Sequence, residues 1–147
     1  MQIKFKKLSE DAIIPTKGRE GDACFDLYAA EDTIFNDRET RVIKTNISME
    51  IPEGYFGKIY TRSGMALKGW SCDWGVIDSN YRWDIGVIIR SIDWFSLAEN
   101  GIIRPKINKG DRIAQIAIHK VENVEFVEVE ELSDTNRGDK WYGSSGK

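Results

Sequence analysis

Short runs of alternating apolar and polar residues follow one another along this chain, with turn-forming residues between them. The runs that read as strands are Met1–Lys7, Ile47–Ile51, Tyr55–Thr61, Arg112–Val121 and Val124–Val129. No window of helical length shows a 3.6-residue apolar stripe. Only the short segment Ser63–Lys68 has a helical pattern, and it predicts a brief helical turn with Ser63 as its N-cap. The pattern therefore predicts an all-β sandwich or jelly roll.

The composition changes near the end of the chain. A length of 147 residues without an internal repeat suits one domain. After Ser133, aliphatic residues almost disappear and Gly and Ser become frequent. Such a composition is typical of a disordered tail. Trp141 and Tyr142 within it favour an arm that orders over a ligand. We therefore predict a β domain over residues 1–132 and a flexible C-terminal arm over residues 133–147.

Charge and cysteine content limit the classes of partner. A net charge of −3 and a pI near 5.3 argue against nucleic-acid binding. No apolar run has the length of a membrane span, and the N-terminus lacks a signal-peptide core, so we expect a cytoplasmic protein without a membrane partner. Cys24 and Cys72 are expected to be free thiols. The lone His119 is expected to be a surface or edge residue rather than a zinc ligand.

The run Gly75–Arg82 contains the most informative chemistry. An apolar strand ends at Asp78, Ser79 and Asn80 form a turn, and Tyr81 follows. Since Ile85–Ile89 again reads as a strand, the whole predicts a β-hairpin. Its backbone could bind a small planar molecule, Tyr81 could stack on that molecule, and Asp78 could take a proton from water. In most proteins an Asp at such a place is a turn residue, because its side chain bonds to nearby backbone.

Other short blocks accompany this hairpin in a fixed order. They are Ala23-Cys24-Phe25-Asp26-Leu27, Arg62-Ser63-Gly64, Gly110-Asp111-Arg112-Ile113-Ala114-Gln115 and the terminal run from Arg137 to Gly146. With the hairpin block, they occur in the order and approximate spacing of the trimeric dUTPase family. From about Leu8 to Gly146 the chain resembles members of that family.

This resemblance implies a fold, an assembly and an activity. The fold would be a distorted jelly roll, or β-clip sandwich, and the assembly a homotrimer whose sites combine blocks from neighbouring subunits. The activity would be Mg²⁺-dependent hydrolysis of dUTP to dUMP and pyrophosphate, which limits uracil in DNA and supplies dUMP for thymidylate synthesis. A dCTP deaminase has the same fold and is one alternative. A dUTPase-like scaffold that binds a regulatory protein is another.

The resemblance also implies roles for individual residues. Asp78 would activate the water that attacks the α-phosphorus. Phosphate contacts would come from Arg62, Ser63, Gly64, Gln115, Arg137, Ser144 and Ser145. Base and deoxyribose contacts would come from Gly75, Ile77, Tyr81 and Tyr142, with uracil recognised by hairpin backbone.

Asp26 and Gln115 each have a second interpretation. Asp26 would organise waters around the Mg²⁺ on the triphosphate, but it lies between apolar neighbours and would be costly to bury unpaired. Pairing with an arginine is therefore an alternative role, and both roles could hold. Gln115 could equally be the outward polar residue of an alternating strand.

The chain departs from the family at a few positions. Cys24, Trp83 and Trp141 stand where the family usually has Gly, and Tyr142 stands where it usually has Phe. A tryptophan at position 83 is expected to project a bulky ring from the hairpin. Trp residues also fit a packing surface for a partner.

Overall fold

In the computed structural model, which describes residues 1–36, 38–92, 96–98, 101–136 and 138, nearly all regular structure is β. For 96–98 and 101–103 it describes the backbone alone. The strands are β1 (Lys4–Lys7), β2 (Phe25–Tyr28), β3 (Thr33–Ile34), β4 (Thr40–Ile43), β5 (Ile47–Glu50), β6 (Tyr55–Tyr60), β7 (Trp70–Ser71), β8 (Val76–Ile77), β9 (Val87–Ser91), β10 (Ser96–Ala98), β11 (Gly101–Ile103), β12 (Lys106–Ile107) and β13 (Arg112–Lys120). A helical turn, α1, covers Ser63–Ala66. The prediction of an all-β fold is confirmed.

The strands form small antiparallel sheets rather than one continuous sheet. The largest has the order β2-β13-β6-β8, and a second has the order β4-β9-β7. Two-stranded sheets pair β1 with β5, β3 with β12 and β10 with β11. The long strand β13 is central to the largest sheet, pairing with β2 on one side and β6 on the other, with a register shift between Arg112 and Ala114.

Aliphatic side chains from the strands fill the interior. Burial alternates along β6 and β9, as a period of two predicts, whereas β5 and β13 also bury consecutive residues. The core is rich in isoleucine, and its largest fully buried side chains are Phe35, Leu27, Ile43, Ile47, Ile51, Ile59, Ile85, Ile89, Ile113 and Ile116. β-Branched residues pack well on pleated strands, so this composition is consistent with the sheets it stabilises.

Several predicted boundaries agree with the structure, and one predicted strand is not observed. The strands predicted at Ile47–Ile51, Tyr55–Thr61 and Arg112–Val121 are observed as β5, β6 and β13. The prediction of a strand at Val124–Val129 is wrong, because this segment has no strand partner among the described residues. Alternation alone predicts an element that can pair, and pairing requires a second strand within reach.

The helical turn begins one residue earlier than predicted. Its N-cap is Arg62, in extended conformation at φ −74° and ψ 142°, and Ser63 is the first helical residue. No side chain caps this end by a hydrogen bond. The prediction of Ser63 as N-cap is therefore wrong, since the backbone geometry of Arg62 already starts the turn.

The two cysteines are free, as predicted, and the histidine is partly buried. Cys24 and Cys72 are free thiols, and Cys72 is buried. His119 lies on β13, where its Nε2 is 3.1 Å from the hydroxyl of Tyr60 and its ring stacks on Phe56. Among the described residues no helix is long and apolar enough to cross a membrane.

Candidate active site

The run from Gly75 to Arg82 folds as a turn whose two arms belong to different sheets. β8 pairs with β6, whereas β9 pairs with β4 and β7, and no strand pair of the described residues joins β8 to β9. The turn is present, since the Tyr81 N–H donates to the Asp78 carbonyl at 3.1 Å. The prediction of a β-hairpin is therefore wrong in one respect, because the described strands β8 and β9 do not pair with each other. Because the arms diverge, backbone groups between them can contact a ligand instead of each other.

Several hydrogen bonds stabilise the chain within this turn and directly after it. Arg82 donates from one guanidinium nitrogen to the Ser79 carbonyl at 2.6 Å and to the Tyr81 carbonyl at 2.9 Å. The Tyr81 hydroxyl donates to the Asp84 carbonyl at 2.9 Å. The Ser48 hydroxyl donates to the Arg82 carbonyl at 2.6 Å. Asp78, the first residue of this turn, is exposed.

Packing explains two of the residues expected at the base-binding arm. A Cβ at Gly75 would lie 2.8 Å from Cδ1 of Ile59, so the close approach of β6 requires glycine there. The Gly75 carbonyl accepts a hydrogen bond from the Ile59 N–H at 3.0 Å. The side chain of Ile77 belongs to the core at 8% exposure, so any contact of Ile77 with a ligand has to be made by its backbone.

Asp26, on strand β2, is held by two arginines. Its Oδ1 accepts from Nε of Arg62 at 2.7 Å, and its Oδ2 accepts from a terminal nitrogen of Arg112 at 3.4 Å. Arg62 also donates to the Arg112 carbonyl at 3.2 Å. The alternative interpretation of Asp26, an aspartate paired with arginine, is therefore observed. The pairing compensates for the burial of the carboxylate.

A polar cavity of about 300 Å³ surrounds this ion pair. Its lining brings together several of the predicted phosphate-binding residues with their neighbours, namely Gly18, Asp22, Ala23, Cys24, Asp26, Arg62, Ser63, Arg112 and Gln115. Gln115 lies directly across from Asp26 in the β13–β2 register, which places both side chains on one face of the sheet. The amide nitrogen of Gln115 donates to the Thr61 carbonyl at 3.2 Å and has a second hydrogen for a phosphate oxygen.

Ser63 and Gly64 open the helical turn beside this cavity. Both residues are exposed, and no Cβ contact would be made at Gly64 within 4 Å. The first N–H groups of a helical turn have no acceptor within it, so they are free to bind an anion. The Ser63 hydroxyl adds a further donor at the same place.

The charged residues that line the cavity nearly cancel one another. Asp22 and Asp26 offset Arg62 and Arg112, so the described lining is close to neutral. No group of three or more His, Cys, Asp or Glu residues among the described residues could hold a metal ion unaided. Both oxygens of Asp26 already accept from arginines, but a carboxylate has further lone pairs for water. These residues fit a Mg²⁺ ion that enters on the phosphates and keeps most of its water.

The cavity and the Asp78 turn lie at opposite ends of strand β6. Ile77 pairs with Gly57, so Asp78 continues toward the Tyr55 end, whereas Ser63 follows the Tyr60 end. A strand of this length spans about 17 Å. Asp78 instead lines a second cavity, with Glu53, Gly54, Tyr55, Phe56, Ser79, Asn80, Val121 and Asn123. Within one chain, Asp78 does not meet the predicted phosphate-binding residues that the structure describes, which are Arg62, Ser63, Gly64 and Gln115.

Four predicted site residues cannot be placed. Arg137, Tyr142, Ser144 and Ser145 lie outside the described residues. Conversely, sequence reasoning assigned no role to Arg112, whose side chain is 53% exposed in the cavity around Asp26. Its position within the Gly110–Gln115 block, three residues before Gln115, was the available signal.

Cys24 also lines this cavity. Burial, together with the charges of Asp22 and Asp26, raises the pKa of its thiol. The thiol therefore stays protonated and neutral at physiological pH.

Comparisons with known proteins show which family the chain belongs to. A dUTPase family model matches residues 10–146. The deoxyuridine 5'-triphosphate nucleotidohydrolase of vaccinia virus (strain Copenhagen) is 42% identical over 144 residues, covering 98% of this chain and 92% of the viral protein. The dUTPase of Staphylococcus bacteriophage 80alpha, solved as a point mutant with dUpNHpp, has a TM-score of 0.86 at 32% identity, covering 99% of each chain.

A third relative bears on the metal. A mutant dUTPase from phage phi11 of S. aureus has a TM-score of 0.78 at 28% identity, covering 91% of this chain and 100% of that one, and its structure describes the coordination of a structural Mg(II) ion. The family model and the viral relative each span nearly the whole chain, including every block that resembled the family. This chain belongs to the dUTPase family.

Proposed function

We infer that this chain hydrolyses dUTP to dUMP and pyrophosphate. The single observation that supports this most directly is the open turn from Gly75 to Arg82, which presents Asp78 and Tyr81 in a chain of the dUTPase family. A dCTP deaminase-like activity and a purely regulatory scaffold have no comparable support among the relatives, which are named as dUTP nucleotidohydrolases.

In the proposed reaction, Asp78 accepts a proton from the attacking water. The water oxygen bonds to the α-phosphorus, the bond from that phosphorus to its bridging oxygen breaks, and pyrophosphate leaves with the bonding electrons. A carboxylate positioned about 3 Å from the water suits this role as general base. The rigid turn supports the proposal, since it orients the exposed carboxylate without a further loss of backbone freedom.

The cavity around Asp26 is proposed to hold the phosphate chain. Arg62 and Gln115 would donate to phosphate oxygens, and the Ser63 hydroxyl and the amides of Ser63 and Gly64 would stabilise charge on the leaving pyrophosphate. Arg112 has an exposed guanidinium at the same place and would add a further donor. The ion pairs with Asp26 would fix both arginines in position before the substrate binds.

Mg²⁺ is proposed to enter with the triphosphate. When bound, it would neutralise charge on the phosphate oxygens as a Lewis acid. Asp26 would hold water molecules of the hydrated ion. The near-neutral lining of the cavity supports a requirement for such extra positive charge.

A complete site is proposed to need more than one copy of the chain, in a homotrimer. About 17 Å of β6 separate the Asp78 turn from Ser63, and both would have to contact the same phosphate group. The Asp78 turn of one copy would therefore face the phosphate-binding cavity of another.

The segment after β13 supports assembly by a second observation. Residues 121–132 expose a series of apolar side chains, up to 96% for Phe126, with no strand partner among the described residues. These are Val121, Val124, Phe126, Val127, Val129 and Leu132. So much exposed apolar surface in one segment is typical of a protein interface. The glutamates of this segment would complement the lysines of β1 in another copy of the chain, since β1 pairs with β5 along one edge.

We propose that residues 133–147 form an arm that closes over the bound nucleotide. Arg137 would supply a cation for the γ-phosphate, Ser144 and Ser145 would donate to phosphate oxygens, and Tyr142 would stack on the base. On the base side, the backbone of Gly75 and Ile77 would read the uracil edge, and Tyr81 would pack against the deoxyribose. The divergent arms of the turn support this recognition of the base, because the backbone groups of the described strands β8 and β9 do not bond to each other.

The test is pyrophosphate release with dUTP, dCTP, dTTP and UTP in the presence of Mg²⁺. We expect rapid release from dUTP and much slower release from the other three. Ammonia production from dCTP would favour the deaminase instead. A chain that hydrolyses none of the four would favour the scaffold.

A further inference from the structure

We propose that Trp83 contacts the nucleoside half of the bound nucleotide and increases its affinity without distinguishing between bases. The proposal deepens the function proposed above and rests on it, since it takes the Asp78–Tyr81 turn as the nucleoside-binding arm. It assigns a substrate contact to an exposed aromatic residue that follows Tyr81 by two positions.

Trp83 is a large exposed aromatic side chain beside Tyr81. It is 73% exposed, and its ring centroid lies 5.9 Å from that of Tyr81 with the ring planes tilted by 54°. Tyr81 itself is partly buried and packs against the hydrophobic core. A nucleoside in contact with Tyr81 would therefore be within reach of the indole as well.

The backbone that presents Trp83 is fixed on both sides. The carbonyl of Arg82 accepts from the Ser48 hydroxyl, and the carbonyl of Asp84 accepts from the Tyr81 hydroxyl. The Asp84 carboxylate accepts from the backbone N–H and the hydroxyl of Thr45, each at 3.3 Å. The backbone that carries the indole therefore needs little further ordering when a ligand packs on the ring.

The chemistry of an indole favours the nucleoside over the phosphates. A neutral aromatic ring stacks on the face of a nucleobase or packs against a sugar, and has little affinity for hydrated phosphate oxygens. Every base has such a face, so stacking strengthens binding without selecting uracil over cytosine. The selective contacts would remain those of the hairpin backbone.

The experiment compares a nucleoside ligand with a phosphate ligand. Calorimetry with Trp83→Ala should show about tenfold weaker binding of dUMP, in line with the loss of one stacked aromatic, and binding of inorganic tripolyphosphate within about twofold of the unsubstituted protein. Trp83→Phe should restore most of the dUMP affinity, and dCMP should weaken by the same factor as dUMP. Trp74→Ala removes another exposed indole, 48% exposed, and should leave both affinities within about twofold.

Each contrary result overturns the proposal. Unchanged dUMP affinity in Trp83→Ala would show that the indole does not touch the nucleoside, and equal weakening of dUMP and tripolyphosphate would show a general disturbance of the site. Loss of dUMP affinity together with dissociation of the oligomer in sedimentation would place the ring between copies of the chain. Because binding is measured without turnover, a failure of dUTP hydrolysis would be seen separately in the pyrophosphate assay.

Discussion

The guanidinium of Arg62 and the carboxylate of Asp26 form an ion pair of 2.7 Å between residues 36 positions apart. The pair ties the start of α1 to strand β2, and the guanidinium of Arg112 contacts the same carboxylate at 3.4 Å. The Asp26 side chain is 12% exposed, so the three charges are partly shielded from water. The ion pair therefore supports the proposed phosphate-binding cavity as well as the fold around it.

Replacing Asp26 by Asn should destabilise the protein. The amide removes the carboxylate that pairs with Arg62 and Arg112. We expect the free energy of unfolding to fall by about 1–3 kcal/mol, less than for a fully buried pair because Arg112 is half exposed. Urea denaturation measures the change. Glu50→Gln, which breaks an exposed pair with Lys4, is the control and should change stability by less than about 0.5 kcal/mol. Equal small effects of both substitutions would contradict a supporting role for Asp26.

Replacing Asp78 by Asn should reduce turnover of dUTP by roughly 100-fold or more, because the amide cannot accept the proton of the attacking water. The shape of the turn should persist, since the bond between Tyr81 and Asp78 uses backbone atoms. Nucleotide affinity should therefore be retained, as measured by calorimetry. Glu53→Gln alters another exposed carboxylate in the same cavity and should retain normal turnover. An Asp78→Asn enzyme of near-normal rate would exclude Asp78 as the general base.

Co-assembly of two inactive variants should restore activity. If each site takes Asp78 from one copy and Ser63 from another, a mixture of Asp78→Asn and Ser63→Ala chains will contain some sites with both residues intact. The separation of these residues along β6 is the physical reason. Chains are mixed in denaturant, refolded together and assayed for pyrophosphate release, with each variant refolded alone as the control. No recovery, or a fully active monomer in sedimentation, would be incompatible with shared sites.

Alkylation of Cys24 should be slow at neutral pH and should block phosphate binding. Burial and the nearby carboxylates of Asp22 and Asp26 raise the thiol pKa, so the reactive thiolate is scarce at pH 8 and becomes more abundant as the pH rises above 9. The rate of reaction with iodoacetamide, followed by mass spectrometry, should increase accordingly, and tripolyphosphate should protect the thiol. Cys72, which is buried, should react after unfolding. Reaction of Cys24 at pH 8 as fast as free cysteine would contradict the expected shift.

Truncation after Asn136 should remove most dUTP hydrolysis and leave the β domain folded. The terminal residues contain too few aliphatic side chains to form a core, so their contribution is expected to come from contacts with the nucleotide. Thermal unfolding and pyrophosphate release are measured on the same preparation. A large fall in the unfolding temperature would show that the segment belongs to the folded domain, and the proposed arm would then be wrong.

Much of the fold was accessible from local sequence. Alternation in Ile47–Ile51 and Tyr55–Thr61 predicted strands because the burial of one face imposes a period of two wherever a strand covers a core. The blocks around Asp26, Ser63, Asp78 and Gln115 were enough to suggest the family, and comparison over residues 10–146 confirmed it. These features depend on residue identity and short-range spacing, which the sequence contains in full.

The partners of those elements were decided by tertiary structure. The sequence determined a turn between Asp78 and Tyr81, but its arms join different sheets because β8 pairs with β6 and β9 pairs with β4. The sequence likewise contains the alternation of Val124–Val129, but this segment has no strand partner among the described residues. It contains the carboxylate of Asp26, but only the fold places that carboxylate against two arginines. Pairing, charge compensation and the distance along β6 between Asp78 and Ser63 all depend on segments far apart in the chain. Contacts of that range are set by which surfaces can pack together, and local patterning does not contain that information.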